Sequence, residues 1–152
     1  FTAVVTTPQV LVWGDSMNPQ TSHNVLRPFD IISPIAEADA ALFYSMLFEL
    51  ERSLKSMFKS DMADQRKKLM QILGVAVSSL NNLAAIVPAV QDLGRRHVKY
   101  GVRPQHYNTV AEAILWMLAQ TLGAAFTPAI KQSWTEVYTI LADTMVAAAK
   151  EA

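Results

Sequence analysis

Residues 33–50 read SPIAEADAALFYSMLFEL, and they carry the helical signal of this chain most plainly. Ser33-Pro34 has the form of a cap followed by proline at the first helical position. Behind it Ile35, Ala38, Leu42, Met46 and Leu50 recur at three- and four-residue steps, the spacing of one helix face. The pattern predicts a helix from Ser33 to about Leu50. The same logic repeats downstream. Asp61, with Asp64 three residues on, sets acid where it complements a helix dipole. Leu69, Ile72, Leu73, Ala76 and Leu80 then form an apolar face that Asn81-Asn82 interrupt. A shorter helix is expected around Val90–Tyr100, ended by Gly101 as a left-handed cap. Pro104 opens another, striped by Val110, Ile114, Met117, Leu118 and Thr121 and closed by Gly123. Thr127-Pro128 opens the last, which runs to about Ala149.

Upstream of Ser33 the signal weakens. Pro28 should end or kink any helix begun at Ser22, so the first helix is expected to be short. Residues 1–20 hold one charge, Asp15, two prolines and the β-branched stretch Val4-Val5-Thr6-Thr7. They read as an N-terminal extension, partly extended or loosely ordered, leaving 21–152 as the folded domain. Val10-Leu11-Val12-Trp13 would be a sticky patch if exposed, which favours docking of the extension on the domain or on another subunit. The fold class is therefore all-α, with six or seven helices of unequal length and no internal repeat. Unequal lengths argue against a plain four-helix bundle.

Composition removes whole classes of function. The 152 residues, 51% of them hydrophobic, suit one domain with a sizeable core. Thirteen basic and thirteen acidic side chains balance, which argues against a nucleic-acid binder. No cysteine is present, so disulfides, thiolate metal sites and cysteine nucleophiles are excluded. Three histidines, His23, His97 and His106, are too few for an easy multi-histidine metal site. No apolar run is expected to reach the roughly 18 residues of a membrane span. The first residues lack a basic segment and a small-residue cleavage signal, so a cytoplasmic location is expected.

A few polar residues stand out. His97 lies in Leu93-Gly94-Arg95-Arg96-His97-Val98-Lys99-Tyr100-Gly101-Val102, where composition alone fits a solvated histidine better than a ligand. His23 and His106 read as surface or capping residues. Tyr44 and Gln65 each sit on a largely apolar helix face, and a buried phenol or amide without a partner costs about 1–3 kcal/mol. Either they satisfy one another or the backbone in an ordinary core, or both point at a bound polar ligand. Spacing leaves both open.

Ordered landmarks turn these residues into a resemblance. Phe43-Tyr44-Ser45-Met46-Leu47-Phe48, Met57-Phe58 and Asp64-Gln65-Arg66-Lys67-Lys68-Leu69 resemble consecutive stretches of the globin family. Leu93 to Tyr107, with Tyr100-Gly101-Val102 and His106-Tyr107, resembles its proximal segment, and Trp134-Thr135-Glu136-Val137-Tyr138 its last helix. The likeness spans about Phe29 to Met145. It is greatest to bacterial single-domain globins, the branch similar to flavohaemoglobin haem domains and neuroglobins. It implies the globin fold, a three-over-three helical sandwich, here with a short or kinked first helix.

The resemblance implies haem b as cofactor, with His97 as the iron ligand. It also implies Phe58 packing on the haem, and Tyr44 and Gln65 as distal hydrogen-bond donors beside Leu69. Phe43, Leu47, Leu69 and Leu73 would exclude water, while Tyr100, Val102, Tyr107 and Val110 would line the proximal side. Lys68 and Arg96 are candidate propionate partners. Trp116 and Trp134 read as core filling. One departure concerns Tyr107. In flavohaemoglobins such a tyrosine joins a glutamate of the last helix, but Met145-Val146-Ala147-Ala148-Ala149 offers no carboxylate. The imidazole would then donate to a carbonyl near Leu93, which weakens a peroxidase-like reading.

The implied function is tight oxygen binding at ferrous haem with conversion of nitric oxide to nitrate. No dinucleotide fingerprint accompanies it, so an external reductase is expected as partner. The chain is expected to be a monomer or weak homodimer. A haem-based gas sensor and a haem-free interaction protein of the same fold are the alternatives.

Overall fold

The computed structural model describes residues 19–58 and 61–150. Among these the secondary structure is helical, in six α-helices: α1 Pro19–Ile32, α2 Ala36–Leu50, α3 Met62–Ser78, α4 Val87–Lys99, α5 Pro104–Leu122 and α6 Pro128–Ala149. Short 3-10 turns fill four of the connections, at Ser33–Ile35, Arg52–Met57, Leu83–Ile86 and Gly123–Ala125. Helices α1, α3 and α4 form one layer and α2, α5 and α6 the other. Contacts are richest between α4 and α6 and between α2 and α5, followed by α1 with α6 and α2 with α3. This is the expected three-over-three sandwich.

Local chemistry explains most helix ends. Asp61 caps α3 through its side chain, which accepts from the Ala63 N–H at 3.2 Å. Thr127 does the same for α6, accepting from the Ile130 N–H at 3.3 Å. Pro104 stands in the first turn of α5, where a missing N–H costs nothing. Gly101 follows α4 at φ +90, a left-handed conformation that only glycine adopts freely.

Several expectations need correction. Helix α1 continues past Pro28 and begins at Pro19, inside the expected extension. Residues 1–18 of that extension, with their β-branched and Val10–Trp13 stretches, lie outside the described residues. An interior proline costs about 3 kcal/mol, but Ser22, Val25, Pro28 and Ile32 form one buried stripe. Each fully buried apolar side chain returns about 1.5–3 kcal/mol, so tertiary packing overrides the local penalty. Ser33 is no cap. The chain arrives at it already helical, with Ile32 at φ −82 and ψ −25, and Pro34 sits in a 3-10 turn before α2 begins at Ala36.

The buried face of α2 also differs from the expected stripe. Asp39, Ala40, Phe43, Tyr44 and Leu47 are buried, whereas Ile35 and Leu50 stand 47% and 42% exposed. Apolar residues stand on more than one side of the helix, among Glu37, Asp39, Ser45 and Glu49, so sequence periodicity could be read on either face. Helix α4 starts three residues earlier than expected, because Val87-Pro88 supplies a first-turn proline. The run Pro19–Leu50 also contains an 18-residue window of mean hydropathy at least 1.2 (1.4 here), enough by composition to cross a membrane. That corrects the expectation of no such run. In this fold it is two core helices, contributing the fully buried Val25, Ile32 and Ala40 and the nearly buried Phe43 and Leu47.

A close backbone approach fixes α4 on α6. A Cβ placed on Gly94 would stand 2.7 Å from the Met145 Cα and nearer still to its carbonyl oxygen. Neither is a flexible side chain, so the backbones themselves would have to part. Alanine is the better helix former by about 1 kcal/mol. Even so, Gly94→Ala is expected to destabilise the fold by about 1–3 kcal/mol through overpacking. Urea denaturation checks this; unchanged or raised stability would show that the two helices can separate freely.

Candidate functional site

Two groups of the named residues come together. The first surrounds Tyr44 on α2. Its ring meets Phe43 edge-on at 4.9 Å, Phe58 edge-on at 5.4 Å and Phe48 at 5.9 Å, and Phe48 and Phe58 pack at 5.4 Å. Edge-to-face pairs of this kind add about 0.5–1.5 kcal/mol each beyond area burial. Phe43 and Leu47 are 2% exposed and Tyr44 8%. The Tyr44 hydroxyl donates to the Gln65 main-chain carbonyl at 3.4 Å, a long bond that sits at the weak end of its class. So the link to backbone, one of the two expectations for Tyr44, is what the structure shows. Gln65 stands in the first turn of α3, partly buried, and Leu69 follows one turn on, also partly buried.

The second group surrounds His97 on α4. The Tyr107 ring stacks on the imidazole at 6.3 Å and 22°, and the Tyr100 ring lies at 6.4 Å and 49°. Tyr107 is fixed in turn by α6, because the Tyr138 hydroxyl donates to its carbonyl at 2.7 Å. His97 Nδ1 is buried and lacks a hydrogen bond of good geometry. Burial holds the His97 pKa below the usual histidine range; the Leu93 carbonyl beside the ring opposes this, and Arg96 adds to the lowering. The ring is thus kept neutral, the form that binds a metal. The chain just beyond wraps back onto the same residue, since the Tyr100 and Val102 N–H groups both donate to the His97 carbonyl. Val102 is half-buried, and Val110 packs against the core from α5.

The elements carrying these groups are arranged in a particular way. Helix α3 packs on α2 and α1, α4 packs on α6, and α3 and α4 make little contact with each other. They are also the least buried helices, burying only Ala76 and Val77 on α3 and Gly94 on α4. Ile72, Val75 and Val98 on them stand 45%, 54% and 44% exposed. Among the described residues no three histidine or acidic side chains gather around a bare metal ion. One neutral histidine beside two helices with spare apolar surface fits a large, flat, apolar group that brings its own metal.

Other expected residues stand apart. Lys68 pairs with Asp64 at 3.2 Å and Arg96 with Asp92 at 3.2 Å. Both are exposed pairs along one helix, worth under about 1 kcal/mol and readily exchanged. Leu73 is half-buried on α3. His23 is exposed, whereas His106 is buried and caps α5. Trp134 is a buried core residue, and Trp116 is partly buried. Sequence reasoning passed over Phe48 as a site residue, although its place one helical turn after Tyr44 was the available signal. It also passed over Gly94, three residues before His97, because its contact with Met145 is remote in sequence.

Fold and site together define an all-helical protein with one half-buried histidine on a lightly buried helix and an aromatic cluster around Tyr44. This chain belongs to the globin family, whose model matches residues 41–145. Neuroglobin of Tetraodon nigroviridis is 30% identical over 118 residues, covering 68% of this chain and 74% of its own. The flavohemoprotein of Bacillus subtilis is 28% identical over 126 residues, covering 80% of this chain and 31% of its own length. Among solved structures, an engineered carbene transferase assigned as a nitric oxide dioxygenase of Rhodothermus marinus superposes with a TM-score of 0.79. It is 25% identical, over 90% of this chain and 95% of its own. Membership of the globin family implies haem binding and small gaseous ligands such as oxygen and nitric oxide.

Burial pushes the Tyr44 phenol up to about 12. The hydroxyl therefore keeps its proton, and its donor capacity, throughout the physiological range. Above pH 10 the unfolded chain releases this proton while the folded chain holds it, so stability falls as pH rises toward 12. Tyrosinate absorbance, as wild type minus Tyr44→Phe, is expected to grow only near pH 12. Growth centred on pH 10, the unperturbed value, would place the phenol in water.

Proposed function

We propose that this chain is a haem b globin that retains oxygen tightly and converts nitric oxide to nitrate, using electrons from a reductase. The observation that carries the reading is Tyr44, a buried phenol boxed by Phe43, Phe48 and Phe58 with a weak hold on the Gln65 carbonyl. A polar hydrogen donor this enclosed and this loosely engaged suits a ligand that arrives later. When bound, haem would supply redox-active iron able to take up oxygen and support the oxidation of nitric oxide to nitrate.

The residues divide the remaining work. His97 would hold the iron through Nε2, since Nδ1 is the inner nitrogen, buried beside the Leu93 carbonyl. Tyr107, stacked on the imidazole, fixes the plane of the ring. Tyr44 and the Gln65 side chain would donate hydrogen bonds to the partly anionic ligand, where donors in a dry pocket act most strongly. Phe43, Leu47, Phe58 and Leu69 exclude water and so protect the reduced state. Lys68 and Arg96 would exchange their own acids for the propionates at small cost.

Oxygen release from the haem-loaded chain tests the roles of Tyr44 and Gln65. Tyr44→Phe and Gln65→Leu are each expected to speed release on the order of 10- to 100-fold, the worth of a hydrogen bond to a charged group. The double variant should depart from additivity if the donors cooperate. Rapid mixing of the oxygenated protein with nitric oxide should yield nitrate stoichiometrically. Unaltered release in both variants, or no nitrate, would reject the reading.

A further inference from the structure

The corner between α4 and α5 is tied at both ends. At its start the Tyr100 and Val102 N–H groups donate to the His97 carbonyl, the latter at 3.0 Å. At its end the Arg103 N–H donates to His106 Nδ1 at 2.9 Å, and the His106 N–H returns to the Arg103 carbonyl at 2.9 Å. His106 is only 7% exposed. Its Nδ1 is the acceptor of the Arg103 bond, which leaves Nε2 as the ring's donor. Helix α5 has no side-chain oxygen at its start, because the residue preceding Pro104 is an arginine. An acceptor three residues inside the helix, reaching back, replaces it in the manner of a capping box.

The next residue is Tyr107, whose ring stacks on His97. The first turn of α5 therefore reaches His97 by two routes, through the corner to its carbonyl and through Tyr107 to its ring. We infer that His106 is a positioning residue for His97: its imidazole latches the corner and sets the orientation of the iron-binding ring. This rests on the proposed role of His97 as haem ligand. It adds that a buried histidine nine positions on, bonded to the corner and not to His97 itself, determines how firmly that ring is held.

The test compares His106→Leu, which removes the acceptor, with His106→Gln, whose side-chain oxygen can serve the same box. Amide hydrogen exchange is followed on the full chain as purified. In His106→Leu, exchange at Arg103 should rise about tenfold, the factor one lost hydrogen bond carries, while His106→Gln stays near wild type. On the haem-loaded ferrous protein, the iron–histidine stretching band should broaden or shift in His106→Leu and be restored in His106→Gln. An unmoved band in a folded His106→Leu overturns the inference. So does a folded glutamine variant whose Arg103 exchange and band depart clearly from wild type, a comparison that holds even if leucine prevents folding. If wild type takes up no haem, the proposed function fails, while exchange at Arg103 still reports on the latch.

Discussion

Helices α4 and α6 touch backbone to backbone at Gly94 and Met145, and the placement of the site depends on that contact. No side chain can stand between them. With α4 pressed against α6, its partners are accounted for, and it makes little contact with α3. His97 follows three residues later, nearly one turn along the same helix. The ring is then fixed from outside α4, by Tyr107 against its face and the 100–103 corner on its carbonyl. A single hydrogen atom at position 94 thus sets how closely the helix carrying His97 lies on α6.

The opposite side of the site follows a different rule. Around Tyr44 the packing is aromatic and dense, and the one polar group at its centre is under-engaged. Burial suppresses its ionisation, so the protein keeps a neutral donor where water is excluded. On the α4 side the imidazole is likewise kept neutral by burial. Two uncharged polar groups, each held by a scaffold more apolar than itself, suit reversible capture of a small dipolar ligand.

Much of this was legible in the sequence where local backbone chemistry dictates structure. Gly101, Pro104 and Thr127-Pro128 mark helix ends that do not depend on distant partners, and the structure has them there. Sequence reasoning failed where tertiary packing overrules local preference. Pro28 lies inside a helix because its ring is buried with Val25 and Ile32. Ser33 does not cap because the chain is already helical when it arrives. On α2 the periodic stripe was ambiguous, since apolar residues stand on more than one side of the helix, and burial selected the face holding Phe43 and Tyr44. The site residues were visible as types, an isolated histidine and two polar groups on apolar faces. Their partners were not, because Tyr44 meets a main-chain carbonyl and Gly94 meets Met145, contacts that no residue type announces.

The proposed function stands or falls with His97 as the residue that would hold haem. Titration of the chain with haem, followed by absorption in the ferric and ferrous forms, tests it most directly when wild type is set beside His97→Gly. The account predicts one haem per wild-type chain with a histidine-ligated spectrum. It predicts loss of that spectrum in the variant and its return when free imidazole is added. Equal uptake and an identical spectrum in His97→Gly without imidazole would contradict it.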